Sequence, residues 1–274
     1  MDALFPTLSD EEFEGFASFI KSHYGVNLES KKNLVESRLG AYVVRRGFQD
    51  YAAYFEYAKN DPTQREMSML VSRVTTSHTY FMRESDHFEF FADEVLPGVM
   101  GLGGFDLRVW CAGCASGEEP YALSMYILDR VERLGVSGWD TTLLATDVAE
   151  DALKTASAGV YDEGELVSLP DGWMWRFFTP MQDGCWRVSQ ALRENVAFKR
   201  HNLMGDFAFT KPMHAIFCRN VMIYFDADTK TALLRKFYDV LVPGGYLFIG
   251  HSESLTALGT GFVYVRPSVY RKPL

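Results

Sequence analysis

Four cysteines in 274 residues are too few to staple a fold, which excludes a disulfide scaffold and makes a reducing compartment the expectation. Long apolar runs are also missing: no stretch reaches the ~18 uncharged apolar residues that crossing a bilayer requires. The opening residues, MDALFPTLSDEEFEGF, are acidic where a secretory leader is basic, so a cytoplasmic location is expected. Basic residues are outnumbered, 27 Lys and Arg against 36 Asp and Glu, giving a net charge of −9. That balance argues against binding nucleic acid through bulk electrostatics. No internal repeat or low-complexity tract is present.

What remains is a globular profile. With 47% hydrophobic and 23% charged residues, the chain has ample material for a core. At ~100–200 residues per domain, the length fits one large domain or a medium and a small one. The charge is uneven. Residues 27–49 hold Lys31, Lys32, Arg38, Arg45 and Arg46 against Glu29 and Glu36, a local +3, while the rest sums to −12. A basic island on an acidic protein points to one localised acidic partner.

The first 75 residues read as helical. Ser9 and Glu12 have capping-box spacing, Phe13, Phe16, Ile20 and Tyr24 follow at helical intervals, and Gly25 closes the segment. A second helix is expected from Ser30 to Arg46, with Val35, Leu39, Tyr42 and Val43 inward and Gly47 as the stop. Asp61-Pro62 has the pattern of a cap followed by proline in the first turn, predicting a helix to about Val74. From residue 105 the rhythm changes. The apolar runs 107–111, 142–146, 215–218 and 246–249 lack polar alternation, and helical segments follow the first three. That pattern implies a parallel sheet covered on both faces. Residues 262–265 and 268–271, split by Pro267, read as an antiparallel finish. Asp183-Gly184 lies between short β-like runs, placing a small β insertion at about 162–200.

The chemistry concentrates in residues 107–125, LRVWCAGCASGEEPYALSM. A buried strand runs into a small-residue loop, and a helix begins at Glu118. This is the first βα turn of a nucleotide-binding α/β fold. The dinucleotide fingerprint G-x-G-x-x-G is absent, because only Gly113 and Gly117 are present. Glu118 and Glu119 occupy the first helical turn, where they would repel a pyrophosphate by about 1 kcal/mol or more each. They suit a cationic, phosphate-free ligand, and S-adenosyl-L-methionine (SAM) has that charge pattern. Asp147 ends the second strand, where an acidic residue accepts both ribose hydroxyls. The alternative is that Asp147 only caps the helix beginning near Ala149.

Several ordered motifs then resemble a known family. They are VTTSHTYFMRE (74–84), VW through SGEEPY (109–121), ATD (145–147), ASAGVY (156–161), NL (202–203), IFCRNVMIYFD (216–226), and PGG through GHSE (243–253). Together they are similar to CheR-type chemotaxis receptor methyltransferases. The resemblance implies a Rossmann-like class I SAM-dependent methyltransferase sheet, α/β and mostly parallel with an antiparallel last strand. It also implies an all-helical N-terminal domain (1–75), a linker and connecting helix (76–104), and a catalytic domain (105–274) with a small β subdomain.

The implied reaction moves a methyl group from SAM to glutamate carboxylates of methyl-accepting chemotaxis receptors, leaving S-adenosyl-L-homocysteine (SAH). Carried over by motif, Ser77, Thr79, Arg83, Glu119, Asp147, Asn202, Leu203, Arg219 and Asn220 hold the cofactor. Arg83 and Tyr224 face the reacting centre, and no metal is implied. The basic positions Lys31, Arg38 and Arg45, seven apart, form a stripe for docking on the receptor's cytoplasmic helical bundle. The chain departs from the family at Ser77, usually Asn, and at His214, usually Asp. The turn between Phe178 and Val188 is about three residues shorter than in relatives that grip a receptor's C-terminal pentapeptide, so no such tether is expected.

Two other patterns carry less. Cys111 and Cys114 form a C-x-x-C without a redox or zinc context, and are read as small residues at a tight strand end. Gly250-His-Ser-Glu-Ser254 resembles a nucleophile elbow without its closing glycine, so its side chains are read as holding a loop. Trp173, Trp175, Phe177 and Phe178 are read as core of the insertion. The rival functions are a methyltransferase on RNA or a small molecule and a non-enzymatic SAM-binding signalling module.

Overall fold

The computed structural model describes residues 6–75, 78–255 and 259–274. Its first domain contains α1 (Asp10–Tyr24), α2 (Lys32–Arg45), α3 (Tyr51–Lys59) and α4 (Arg65–Val74). The Ser9–Glu12 capping box forms, and Gly25 ends α1 in the left-handed conformation. Helix α3, which the sequence reading passed over, is capped by Asp50 and buries Tyr51, Tyr54, Phe55 and Ala58. The helix expected from Asp61-Pro62 begins later. Asp61 accepts N–H groups from Thr63 at 2.9 Å and Glu66 at 3.0 Å, so it closes a local turn, and α4 starts at Arg65. A short aspartate satisfies nearby backbone donors as readily in a turn as in a helix.

A connecting segment of α5 (Asp86–Phe90), a π-turn (Phe91–Val95) and α6 (Leu96–Gly101) leads to the catalytic domain. There, β1 (Val109–Ala112), α7 (Glu118–Arg133), β2 (Leu143–Asp147) and α8 (Glu150–Ala158) come first. The β subdomain follows with β3 (Val160–Asp162), α9 (Trp173–Phe177), β4 (Phe178–Pro180) and β5 (Cys185–Val188), then α10 (Gln190–Glu194). The chain ends with β6 (Val196–Arg200), β7 (Met213–Cys218), α11 (Ala227–Val240), β8 (Leu241–Ile249), β9 (Val263–Arg266) and β10 (Val269–Arg271).

The main sheet has seven strands in the order β6-β2-β1-β7-β8-β10-β9, and the subdomain sheet has three, β3-β5-β4. Strands β6, β2, β1, β7 and β8 run parallel, while β10 is antiparallel to both neighbours. This is the expected mostly parallel sheet with an antiparallel last strand. The insertion is shorter than its expected 162–200 span, because β6 pairs in parallel with β2 along its whole length. Its apolar residues Val196 and Phe198 are used in the main sheet, which a linear reading of a short β-like run does not reveal.

Strand alternation divides the core. Trp110, Ala112, Ile216 and Cys218 join a cluster continuous with the helical domain's Phe16, Leu39 and Leu70. Their neighbours Val109, Cys111, Ala215 and Phe217 point to the opposite face, against α7 and the connecting segment. Successive strand residues face opposite sides, so one face of the sheet packs α11 (Leu233, Leu234, Phe237) and the helical domain, and the other packs α7 and the connecting segment. In the subdomain, Phe177, Phe178 and Trp186 are buried, but Trp175 is 69% exposed. The expected core role of Trp175 is therefore not met: α9 is one turn long and has a solvent face.

The helical domain is fastened over the carboxyl ends of the strands. Asn27 N–H donates to the Tyr224 carbonyl at 2.8 Å, and Val26 bridges Phe225. Lys21 pairs with Asp226 at 2.6 Å, and Arg65 with Glu150 at 3.0 Å.

Candidate active site

The parallel strands end where the chain order reverses between β1 and β7, and a cavity of about 300 Å³ opens there. Such a switch point is where open α/β sheets bind ligands. Thr79, Arg83, Glu119, Asp147, Asn202, Leu203, Arg219, Asn220 and Tyr224 all border it. Ser77 lies outside the described residues. Residues from five separated motifs thus border one cavity, although they are up to 145 positions apart in the sequence.

The first βα turn is built by close approach. Gly113 has φ 100° and leaves no room for a side chain, and Gly117, also at φ 100°, abuts Ala156 and the Tyr161 hydroxyl. The Ala115 N–H donates to Asp147 Oδ2, and the Ala149 N–H to Oδ1, each at 2.8 Å. The helix-capping alternative for Asp147 is not met, since the N-cap of α8 is Ala149 and no side chain caps it. Asp147 instead closes the turn before the helix, which uses one lone pair per oxygen and leaves others for hydroxyl donors. Burial pushes this carboxyl above its ordinary range, and the N–H donors oppose that.

The two glutamates of the turn part company. Glu118 is buried and accepts the Ser116 hydroxyl on both oxygens, at 2.9 and 2.8 Å, away from the cavity. Only Glu119 borders the cavity. The electrostatic argument for a cationic ligand thus rests on one carboxylate of the pair, because adjacent helical positions point about 100° apart. Burial raises the Glu119 carboxyl, and Arg219 opposes the shift.

Arg219 is buried at the end of β7, its side chain 1% exposed. It stands 3.5 Å from Glu119, 3.3 Å from Glu84 and over the Phe88 ring, and donates to the Arg83 carbonyl. Asn220 follows in the left-handed region at φ 58°. Glu253 holds this loop by accepting N–H groups from Gly250, Asn220 and Ile223, at 2.6, 3.0 and 3.1 Å. The loop-holding reading of the GHSES stretch stands for Glu253. Arg83 is half-buried and donates to the His78 carbonyl at 2.8 Å. Asn202 donates to the His23 carbonyl at 2.7 Å, tying the cavity wall to α1.

Sequence reasoning missed Tyr24 and Val26, which come from the helical domain and border the cavity. The helical spacing of Tyr24 reads as ordinary core, and Val26 lies beyond the Gly25 stop and carries no signal of its own. It also missed Glu84, although that residue sits inside a quoted motif. Of the basic stripe, Lys31 and Arg45 are exposed. Arg38 instead donates to the Arg73 and Val74 carbonyls, at 3.3 and 3.2 Å, at the end of α4. It is committed to the fold, so the three positions do not make one free face.

Among the described residues, Glu84, His87 and His251 place possible metal-ligand atoms within 4.8 Å of one another. The Arg219 guanidinium on the same Glu84 carboxylate opposes a cation there.

Residues 77–269 match the CheR methyltransferase, SAM binding domain, and residues 11–75 the CheR methyltransferase, all-alpha domain. The chain belongs to the CheR methyltransferase family. It is similar to the "Chemotaxis protein methyltransferase" of Borreliella burgdorferi, at 35% identity covering 97% of this chain and 95% of that protein. "Chemotaxis protein methyltransferase 1" of Pseudomonas aeruginosa is 36% identical, with 96% and 98% covered. The Escherichia coli "Chemotaxis protein methyltransferase" is 33% identical, with 96% and 91% covered.

As a CheR methyltransferase the protein uses SAM, and the cavity fits that cofactor. Arg219 Nε is buried without a hydrogen-bond partner, which suits an incoming carboxylate. Glu119 beside the guanidinium suits an ammonium, and Asp147 keeps acceptor capacity for ribose hydroxyls. No described helix is long and apolar enough to cross a membrane.

Proposed function

We propose that this enzyme methylates glutamate side chains in the cytoplasmic helical bundle of methyl-accepting chemotaxis receptors, yielding glutamate methyl esters and SAH. The observation that carries this reading is similarity along nearly the whole chain to proteins named chemotaxis protein methyltransferase. When bound, SAM supplies an electrophilic methyl group on a sulfonium. A glutamate carboxylate has a reference pKa of ~4.3, so the nucleophile is ionised at neutral pH and needs no general base. The site's carboxylates agree with that economy, since Asp147 holds backbone donors and Glu119 faces Arg219.

The remaining work is alignment and removal of water from the nucleophile, and alignment alone can supply up to ~7–11 kcal/mol. Thr79, Arg83, Glu119, Asp147, Asn202, Leu203, Arg219 and Asn220 would hold the cofactor. Arg83 would serve the cofactor carboxylate and the orientation of the substrate, and Tyr224 would hydrogen-bond near the methyl path. A fully engaged arginine on the nucleophile would blunt its attack. Exposed Lys31 and Arg45 offer the acidic receptor bundle a complementary contact in the cytoplasm. The tight β4–β5 turn at Gln182–Gly184 supports docking without a receptor C-terminal pentapeptide, and micromolar calorimetric binding of that peptide would refute this.

The test is incubation with radiolabelled SAM and receptor-bearing membranes. Base-labile label on the receptor is expected. Absence of label, or label on RNA or a small molecule instead, overturns the reading.

A further inference from the structure

Two cavity residues, Arg219 and Asn220, are both held by a residue that does not itself border the cavity. Glu84 Oε2 stands 3.3 Å from Arg219 Nη2, and Glu84 Oε1 accepts the Asn220 side-chain amide at 3.4 Å. Arg219 in turn donates to the carbonyl of Arg83, the residue just before Glu84. The contacts close a loop between the linker turn and the end of β7. That turn is strained: Met82 has φ 61° and Glu84 has φ 54°, a region where side chains are disfavoured. A glycine would adopt such a turn freely, so the Glu84 side chain must be stabilised by what it holds. Glu119 flanks the same guanidinium at 3.5 Å, leaving Arg219 between two carboxylates.

We propose that Glu84 is a positioning residue of the methyl-transfer site: its carboxylate pins the Arg219 guanidinium and the Asn220 amide in one arrangement and, through Arg219, fixes the turn that carries Arg83. With Nη2 held by Glu84 and Nη1 beside Glu119, Arg219 is neutralised and immobile. Its Nε, buried without a partner, is left for a ligand carboxylate, and the guanidinium does not swing out to trap the nucleophile. The inference rests on SAM-dependent methyl transfer, not on the receptor as acceptor.

The experiment compares wild type, Glu84→Gln and Glu84→Asp. Gln keeps the shape and the acceptor for Asn220 but removes the charge, while Asp keeps the charge and shortens the reach. Each is measured for SAH affinity by calorimetry, for unfolding midpoint, and for kcat and KM on receptor-bearing membranes. Glu84→Gln is expected to lower kcat at least tenfold with acceptor KM within threefold, and to weaken SAH binding at least threefold. Glu84→Asp is expected to fall between Gln and wild type, at least threefold below wild type in kcat. A Gln variant within twofold of wild type in kcat and SAH affinity overturns the proposal. So does an Asp variant no better than Gln, because packing rather than charge then carries the effect. If Gln does not fold, Asp decides: a threefold loss of kcat at a native unfolding midpoint supports the role, and wild-type values overturn it. Wild type inactive on receptor membranes but binding SAH sinks the acceptor assignment, and the SAH affinities then decide the role of Glu84.

Discussion

Gly113 and Val221 approach so closely that a β-carbon on the glycine would stand 2.4 Å from Val221 Cγ2. The first turn after β1 and the loop after β7 are thus in contact across the cavity wall, and the turn's φ of 100° is one that other residues rarely adopt. Gly113→Ala is expected to cost about 1–3 kcal/mol by overpacking and strain, and to weaken SAH binding at least tenfold. Adding Val221→Ala should recover part of the stability, because it relieves the clash but not the backbone strain. Thermal unfolding and calorimetry read both; native stability in the Gly113→Ala variant would contradict the contact.

Arg83 is half-buried, and its guanidinium is held by the His78 carbonyl, a local contact. Arg83→Ala should therefore leave the unfolding midpoint nearly unchanged while methylation falls at least tenfold. Near-normal turnover in a labelling assay would remove Arg83 from the site.

The basic stripe should split by position. Lys31→Glu with Arg45→Glu is expected to raise the KM for receptor membranes, more at low salt than at high, since these exposed charges act through a screened field. Arg38→Ala should act on stability instead, by about 1–3 kcal/mol, because it strands the carbonyls that Arg38 caps. An unchanged KM in the double variant would leave that helix face merely solvated.

His214, buried at the start of β7, is pushed down to about 4 by burial, with Arg108 adding to the shift. The unfolded chain takes up this proton first, near pH ~6.5. Its contribution to stability is therefore complete above that pH and is lost as pH falls toward the folded value. The stability difference between wild type and His214→Gln should shrink by about 2 kcal/mol between pH 7 and pH 5. Denaturant unfolding at the two pH values checks this, and a constant difference would show that His214 titrates normally.

Much of the architecture was legible locally. The Ser9–Glu12 box, the Gly25 stop, the unalternated strands and the Pro267 break each act over a few residues, so spacing alone locates them. The capping aspartates were harder. Asp61 closes a turn and Asp50 caps a helix, because the same side chain satisfies either backbone, and only the packing of the following apolar face decides between them. The site was legible as a set of motifs but not as an arrangement. Glu118 and Glu119 are equivalent in sequence, yet one is spent on Ser116 and the other faces the cavity. Tyr24 reads as core until the helical domain is seated on the catalytic one.

The sequence by itself determined the order of elements, the small-residue turn after β1 and the placement of acids at strand tips. These follow from backbone sterics and short-range periodicity, which act between near neighbours. Only the tertiary structure decided which charges are available. Arg38 became a cap, Glu118 a partner of Ser116, and Arg219 the centre of a buried ion network with Glu84 and Glu119. A charge's role depends on the dielectric and the partners around it, and both are set by residues distant in the chain.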